Sequence, residues 1–363
     1  MSRRLLGLCL VAATVCSAGP LQAASPVLSN IRPQGGQRGT EVEVSFNGDR
    51  LKDAQEVFYY QPGIETVSLE PNENGKSVKV KLKIAGDAPL GEHALRLRSA
   101  TGVSEMRSFY VGALPSVEEK EPNNEFAAPQ PIDLNATVSG VANSEDVDYY
   151  AVKCTKGQRL SVEVEGMRLG NTMFDPYCAI LDDKRFELAA SDDAPLVYQD
   201  CVASVVIPED GTYVVEVRES SYAGNGNCHY RAHIGTFPRP TAVYPAGGKI
   251  GENVQATFIS GGGQLVQSLT LPPVVLPEYT VFAQDGGGVA PSGNVFRIST
   301  SGNTLEVEPN NDAATATVGQ LPTTFNGIVQ QPGDVDFFKF TATKGQVFEV
   351  ECYARRLRTG LDS

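Results

Sequence analysis

Apolar and polar residues alternate with period two through much of this chain. TEVEVSFNG (40–48), VKVKLKIAG (78–86) and EHALRLRSATG (92–102) each put every second side chain on one face. That period predicts strands with one buried side. Gly-rich turns separate the three stretches, and a small two-sheet sandwich is the economical way to cover their apolar faces. DYYAVKCTKGQRLSVEVEG (148–166), DPYCAILDD (175–183), CVASVVIPEDGTYVVEVRES (201–220) and HYRAHIG (229–235) read as further strands and hairpins. Pro208-Glu209-Asp210-Gly211 marks a turn between two of them. Long windows rich in Ala, Leu, Glu and Lys are missing, so the predicted class is all-β.

The first residues follow a different rule. Arg3 and Arg4 precede the apolar run LLGLCLVAATVCSA, and LQAAS then offers small residues for cleavage. Residues 1–24 therefore read as a signal peptide, which predicts export to the periplasm, the cell surface or the medium. No later stretch is long and apolar enough to predict a membrane span.

The chain also repeats itself. PQGGQRGTEVEVSF (33–46) returns as PAGGKIGENVQATF (245–258), with the Pro, three Gly, Val and Phe in step. Glu119-Lys120-Glu121-Pro122-Asn123-Asn124 would be unremarked alone, but Glu306-Val307-Glu308-Pro309-Asn310-Asn311 spells it again with one change, Lys120 to Val307. Each copy is followed by an Asp-Val-Asp-aromatic-aromatic string, Asp146–Tyr150 and Asp334–Phe338, and then by Lys-Gly-Gln. Order and spacing kept over this length mark an internal duplication. The expected organisation is four units, 25–115, 116–238, a shorter third at 239–303, and 304–363. The last matches the first half of the second, which leads us to expect a truncated unit and a chain that is part of a longer protein.

Composition narrows the function. The net charge of −13 disfavours nucleic acid as a partner. Of the seven cysteines, Cys154, Cys178, Cys201 and Cys228 fall in one unit, where three pairings are open. Cys201 with Cys228 is the preferred pair, and four buried thiols are the alternative. His229 and His233 have the spacing of a helical zinc pair, but their stretch reads as a strand, which sets them about 13 Å apart. His93 reads as structural. Gly-x-Ser-x-Gly, His-Glu-x-x-His and the P-loop are absent from the sequence, so no enzyme is predicted within it. Zero Trp weighs against a sugar-stacking face, while 13 Tyr keep one open.

Residues 117–236 resemble the bacterial pre-peptidase C-terminal domain. The residues that carry the resemblance are Glu121-Pro122-Asn123-Asn124, Asp146–Tyr150, Lys156-Gly157-Gln158 and Pro208–Tyr213. Residues 25–115 resemble the Ig-like IPT/TIG fold through Pro33, Gly35, Gly36, Gly39 and Phe46. The resemblance implies tandem β-sandwiches, an Ig-like domain followed by one of jelly-roll type, both duplicated. It also implies a non-catalytic companion of secreted peptidases or surface proteins. Related collagen-binding modules hold calcium at the equivalent acidic segment, with an acid where Asn124 and Asn311 stand here.

The residues themselves point the same way. Calcium takes six to eight oxygen ligands, charged and neutral mixed. Glu119, Glu121, Asn123, Asn124, Asp146 and Asp148 offer such a set, with Val147 expected to turn towards the core. Glu306, Glu308, Asn310, Asn311, Asp334 and Asp336 offer it again. The function expected is that of secreted binding or adhesion modules stabilised by Ca²⁺, with an extracellular protein or polysaccharide as ligand. The alternative is the accessory region of a secreted peptidase or other hydrolase whose catalytic domain lies beyond residue 363.

Overall fold

The structure, a computed structural model, describes residues 25–361 except Gly262. The expected signal peptide lies outside the described residues. The protein is all-β, a row of β-sandwiches joined by short connections. No helix among the described residues is long and apolar enough to cross a membrane.

The first sandwich contains β1 (Val27–Arg32), β2 (Gly35–Gln37), β3 (Glu41–Asp49), β4 (Ala54–Tyr59), β5 (Ile64–Pro71), β6 (Ser77–Ile84), β7 (Gly91–Ser99), β8 (Gly102–Val103) and β9 (Arg107–Gly112). One sheet runs β1-β3-β6-β5 and the other β2-β9-β7-β4, with β8 on β7. The period-two stretches behave as their pattern dictates. Val44 and Phe46 on β3 stand beside Val80 and Val78 on β6, and all four are fully buried. Each such side chain contributes about 1.5–3 kcal/mol by leaving water.

The second sandwich contains β10 (Ser116–Glu118), β11 (Gln130–Pro131), β12 (Ala136–Val141), β13 (Val147–Cys154), β14 (Arg159–Glu165), β15 (Pro176–Leu181), β16 (Glu187–Ser191), β17 (Cys201–Val206), β18 (Gly211–Glu219) and β19 (His229–Gly235). Its sheets run β10-β12-β19-β14-β17 and β11-β13-β18-β15-β16. Successive strands cross from one sheet to the other in the jelly-roll manner, and β15–β16 is the one pair of consecutive strands joined as a hairpin. The turn at 208–211 therefore carries the chain across the sandwich, where the sequence reading has hairpins. Tyr150, Val152, Leu160, Val162, Val215 and Val217 lie in the core between the sheets.

The third unit is slighter. β20 (Ala242–Tyr244), β22 (Asn253–Ser260) and β23 (Gly263–Thr270) form one sheet, and β21 (Gly247–Lys249) pairs with Arg297–Ser299. Phe258 and Phe296 fill its core, as Phe46 and Phe109 fill that of the first sandwich. Pro33 and Pro245 both follow cis peptide bonds, so the repeat extends to backbone geometry.

The last segment has two short strand pairs, Asn303–Leu305 with Thr324–Asn326 and Thr317–Val318 with Phe338–Lys339. Val347 is 95 % exposed and Val350 85 %, in a stretch that forms no strand.

Buried and partly buried polar contacts fix the first three units together. Gln34 Nε2 donates to Leu169 O at 2.7 Å, and the Tyr110 hydroxyl donates to Arg168 O at 2.7 Å. On the other side, Arg159 reaches Asp285 at 2.8 Å and Arg168 donates to Ser292 Oγ at 2.8 Å. Arg239 in the connection forms a fully buried ion pair with Glu163 of β14.

Candidate metal site

Glu119 and Glu121 follow β10 in one sheet, and Asp148 lies on β13 in the other. Pro122, after a cis bond, turns the chain back between them. The result is that one carboxylate oxygen from each of Glu119, Glu121 and Asp148 lies within 4.8 Å of the others.

Alternation along β13 explains the most buried of the three. Asp148 shares its face with Tyr150, Val152 and Cys154, so it points into the sandwich and is fully buried. Val147 is turned the other way, packed partly buried against Tyr149, Ala179, Leu181 and Val214. The expectation that Val147 faces the main core is thus corrected: the strand puts the acid inside and the valine on the outer face.

Hydroxyl groups that the sequence reading did not include complete the inner wall. Tyr230 on β19 donates to Asp148 Oδ2 at 2.6 Å. Tyr150 donates to Glu119 Oε1 at 3.1 Å, and the Tyr230 hydroxyl oxygen lies 3.1 Å from the same atom, its one proton directed to the closer Asp148. Glu119 Oε2 accepts the Val141 amide at 3.0 Å, and Glu121 Oε2 accepts the Asn123 amide at 3.0 Å. Burial, with the Glu119 charge next in weight, pushes the Asp148 carboxyl up to about 9. Burial and then its acidic neighbours also raise Glu121.

The remaining predicted residues take different places. Asn124 donates to Asp146 Oδ1, and Asp146 Oδ2 accepts the Asn143 amide at 3.0 Å. This pair braces the loop before β13 and stands beside the three-carboxylate cluster. Asn123 is buried, with neither its Oδ1 nor its Nδ2 bonded, and Asp148 Oδ1 is likewise without a partner.

The second copy keeps the carboxylate cluster and its backbone bonds, with Phe338 standing where Tyr150 does in the first. Glu306, Glu308 and Asp336 bring one oxygen each within 4.8 Å. Glu306 Oε1 accepts the Ile328 amide at 2.9 Å, and Glu308 Oε2 accepts the Asn310 amide at 2.8 Å. Asp334 Oδ2 accepts the Gln330 amide at 2.8 Å, and Asn311 with its amide turned to donate reaches Asp334 Oδ1 at 2.9 Å. Glu306 Oε2, Asp336 Oδ1 and both side-chain polar atoms of Asn310 are buried without partners. Each of these bonds is made by residues close to the cluster, so it forms without a closed sandwich around it.

Other candidate chemistry resolves into structural contacts. His233 Nδ1 bonds the Thr137 hydroxyl at 2.8 Å, whereas His229 faces Arg32 and Gly226 O, so β19 holds the two histidines to different neighbours. His93 Nε2 bonds Pro89 O at 2.7 Å. Among the described residues all five cysteines are free, and the thiol neighbour of Cys201 is Cys178 on the facing sheet, not Cys228. The preferred pairing is corrected accordingly: β17 and β15 meet at a sandwich edge, whereas flanking a strand-turn-strand stretch does not by itself bring Cys201 and Cys228 together.

Sequence patterns also gave no sign of the ion pairs on the face of β14 and β19 that is turned away from the core. Arg231 pairs with Glu165 at 2.5 Å, and Arg168 with Glu163 at 3.2 Å. The one available signal is Glu163-Val164-Glu165, two acids on the face of β14 away from the apolar core.

No protein-family model matches the chain, and no curated protein matches it in sequence. Similar solved structures include the pre-peptidase C-terminal domain of a collagenase from Bacillus anthracis, at 14% identity and TM-score 0.24 over 32% of this chain and 99% of that one. PliG of Aeromonas hydrophila, a periplasmic inhibitor of g-type lysozyme, is similar at 15% identity and TM-score 0.23 over 29% of this chain and 96% of that one. SGBP-B of a Bacteroides ovatus mixed-linkage glucan utilization locus is similar at 9% identity and TM-score 0.22, covering 60% of this chain and 75% of that one.

Proposed function

We propose that this chain is an exported, non-catalytic binding protein stabilised by Ca²⁺ at the start of its second sandwich. Glu119, Glu121 and Asp148 would hold the ion, with Asn123 as a neutral donor; Asp146 and Asn124 brace the loop beside it. Glu306, Glu308, Asp336 and Asn310 form the second such set. All these donors are hard oxygens, which suit calcium better than zinc or copper.

The observation that carries this reading is the set of buried oxygens without partners, at Asp148 and Asn123 in one copy and at Asp336, Glu306 and Asn310 in the other. Leaving such a group unsatisfied costs about 1–3 kcal/mol. The same cost recurs at equivalent positions of a duplicated motif, and a bound cation removes it in both. The ion supplies charge neutralisation, tying the segment after β10 to β13 in the opposite sheet. The macromolecule bound is an extracellular protein or polysaccharide.

Calorimetry on the chelator-treated chain tests the reading. Ca²⁺ is expected to bind, raise the melting temperature and protect residues 115–125 from proteolysis. Glu121→Ala combined with Asp148→Ala is expected to abolish binding. Well-folded protein that takes up no Ca²⁺ overturns the proposal.

A further inference from the structure

Cys178 and Cys201 lie in facing sheets of the second sandwich, yet each is fully buried and their thiols are neighbours. Two stacked sheets stand about 10 Å apart, too far for most cysteine pairs to bridge. Here the geometry is different. β17 is the last strand of one sheet, and β15 lies one strand from the end of the other. The sheets close towards each other at this edge, and β15 and β17 come into contact.

Both cysteines are held in place by their surroundings. Cys178 sits in the middle of β15, opposite Val217 on one side and Ser191 on the other. Cys201 opens β17 directly after Asp200. That aspartate accepts the Gly166 amide at 3.0 Å and the Met167 amide at 2.7 Å, and it pairs with Arg168 at 2.5 Å. The start of β17 is thereby pinned, and Cys201 points into the same apolar cluster as Cys178.

We propose that Cys178 and Cys201 form an inter-sheet disulfide when the chain folds in an oxidising medium, clamping the open edge of the second sandwich. The bond joins the two Sγ atoms. Two electrons and two protons pass to a small-molecule or protein disulfide, which leaves as two thiols. Disulfides belong to oxidising compartments, so the proposal shares the expectation of export but is independent of the calcium reading.

The timing follows from burial. In the folded chain an oxidant cannot reach either sulfur, and burial followed by the Cys178 neighbour holds the Cys201 thiol well above its ordinary range. A thiol that does not ionise is a poor nucleophile. The bond therefore forms before the core closes.

The test is refolding of the denatured, reduced chain in a mixture of reduced and oxidised glutathione, followed by alkylation under denaturing conditions and peptide mass spectrometry. A cross-linked peptide pair containing Cys178 and Cys201 is expected. Both cysteines alkylated, or Cys201 joined to Cys154 or Cys228, overturns the proposal. Folded, reduced protein exposed to the same mixture is expected to stay reduced, and rapid oxidation of it overturns the timing. The ring closed is about 24 residues, for which chain entropy predicts a gain on the order of a few hundredfold in the folding equilibrium. Oxidised wild type is accordingly expected to unfold at higher guanidinium than reduced wild type. Cys201→Val keeps the apolar volume and is expected to unfold at one midpoint in both conditions. Coincident curves for oxidised and reduced wild type overturn the clamp.

Discussion

The Tyr230 hydroxyl donates to Asp148 at 2.6 Å across the interior of the second sandwich, from β19 in one sheet to β13 in the other. It is the hydrogen bond that holds the most buried acid of the candidate site. Tyr230→Phe leaves both oxygens of Asp148 without a donor, at a cost of about 1–3 kcal/mol. The loss is expected to be larger in chelator than in Ca²⁺, because a cation on Asp148 replaces the missing partner. Thermal unfolding of the variant with and without Ca²⁺ measures the difference.

Ion choice is the second expectation. A ligand bound only by the folded state adds about 2.7 kcal/mol at a hundredfold excess over Kd. Ca²⁺ in the millimolar range should give a rise in melting temperature that equal Mg²⁺ does not, since Mg²⁺ demands a tight octahedron and keeps its waters. Equal shifts from both ions would show the site to be an unselective acidic surface.

Acid sensitivity is expected from β14. Burial alone would raise the Glu163 and Glu165 carboxyls, but Arg239 and Arg168 around the first, and Arg231 and His233 beside the second, hold both below the ordinary range. Above their ordinary value of 4.5 this stabilisation is complete, and it is lost as the pH falls towards the lower folded-state values. Asp148, with its raised value, titrates in the opposite sense. The readout is therefore the difference between wild type and Glu163→Gln. Denaturant unfolding of the variant is expected to lose less stability between about pH 5 and pH 3 than wild type does.

Gly35 tests the joint between the first two sandwiches. A Cβ there would lie 2.5 Å from Tyr110 O and 2.6 Å from the Arg231 guanidinium carbon. The backbone oxygen cannot move freely, and Arg231 is fixed by Glu165. Gly35→Ala is expected to cost about 1–3 kcal/mol through overpacking. Limited proteolysis should find new cleavage in the connection near residues 112–116, while the second sandwich stays resistant.

What the sequence determined by itself is local. Period-two alternation marks the strands, because a pleated strand shows its two faces to different surroundings. The repeated Glu-x-Glu-Pro-Asn-Asn marks both acidic clusters, and the structure brings Glu119 and Glu121 together as their spacing implies. Pairing across the sandwich was decided by the tertiary structure. Alternation says which residues share a face but not which sheet a strand joins, so it left open that Tyr230 would meet Asp148 from 82 positions away. The same limit hid Cys178 as the neighbour of Cys201. It also hid Arg239 as the partner of Glu163, a pairing that exists because the connection between two sandwiches is folded into their interface. Asp148 itself shows the division: its position in an acidic string is read from the chain, but its burial comes from the second sheet closing over it.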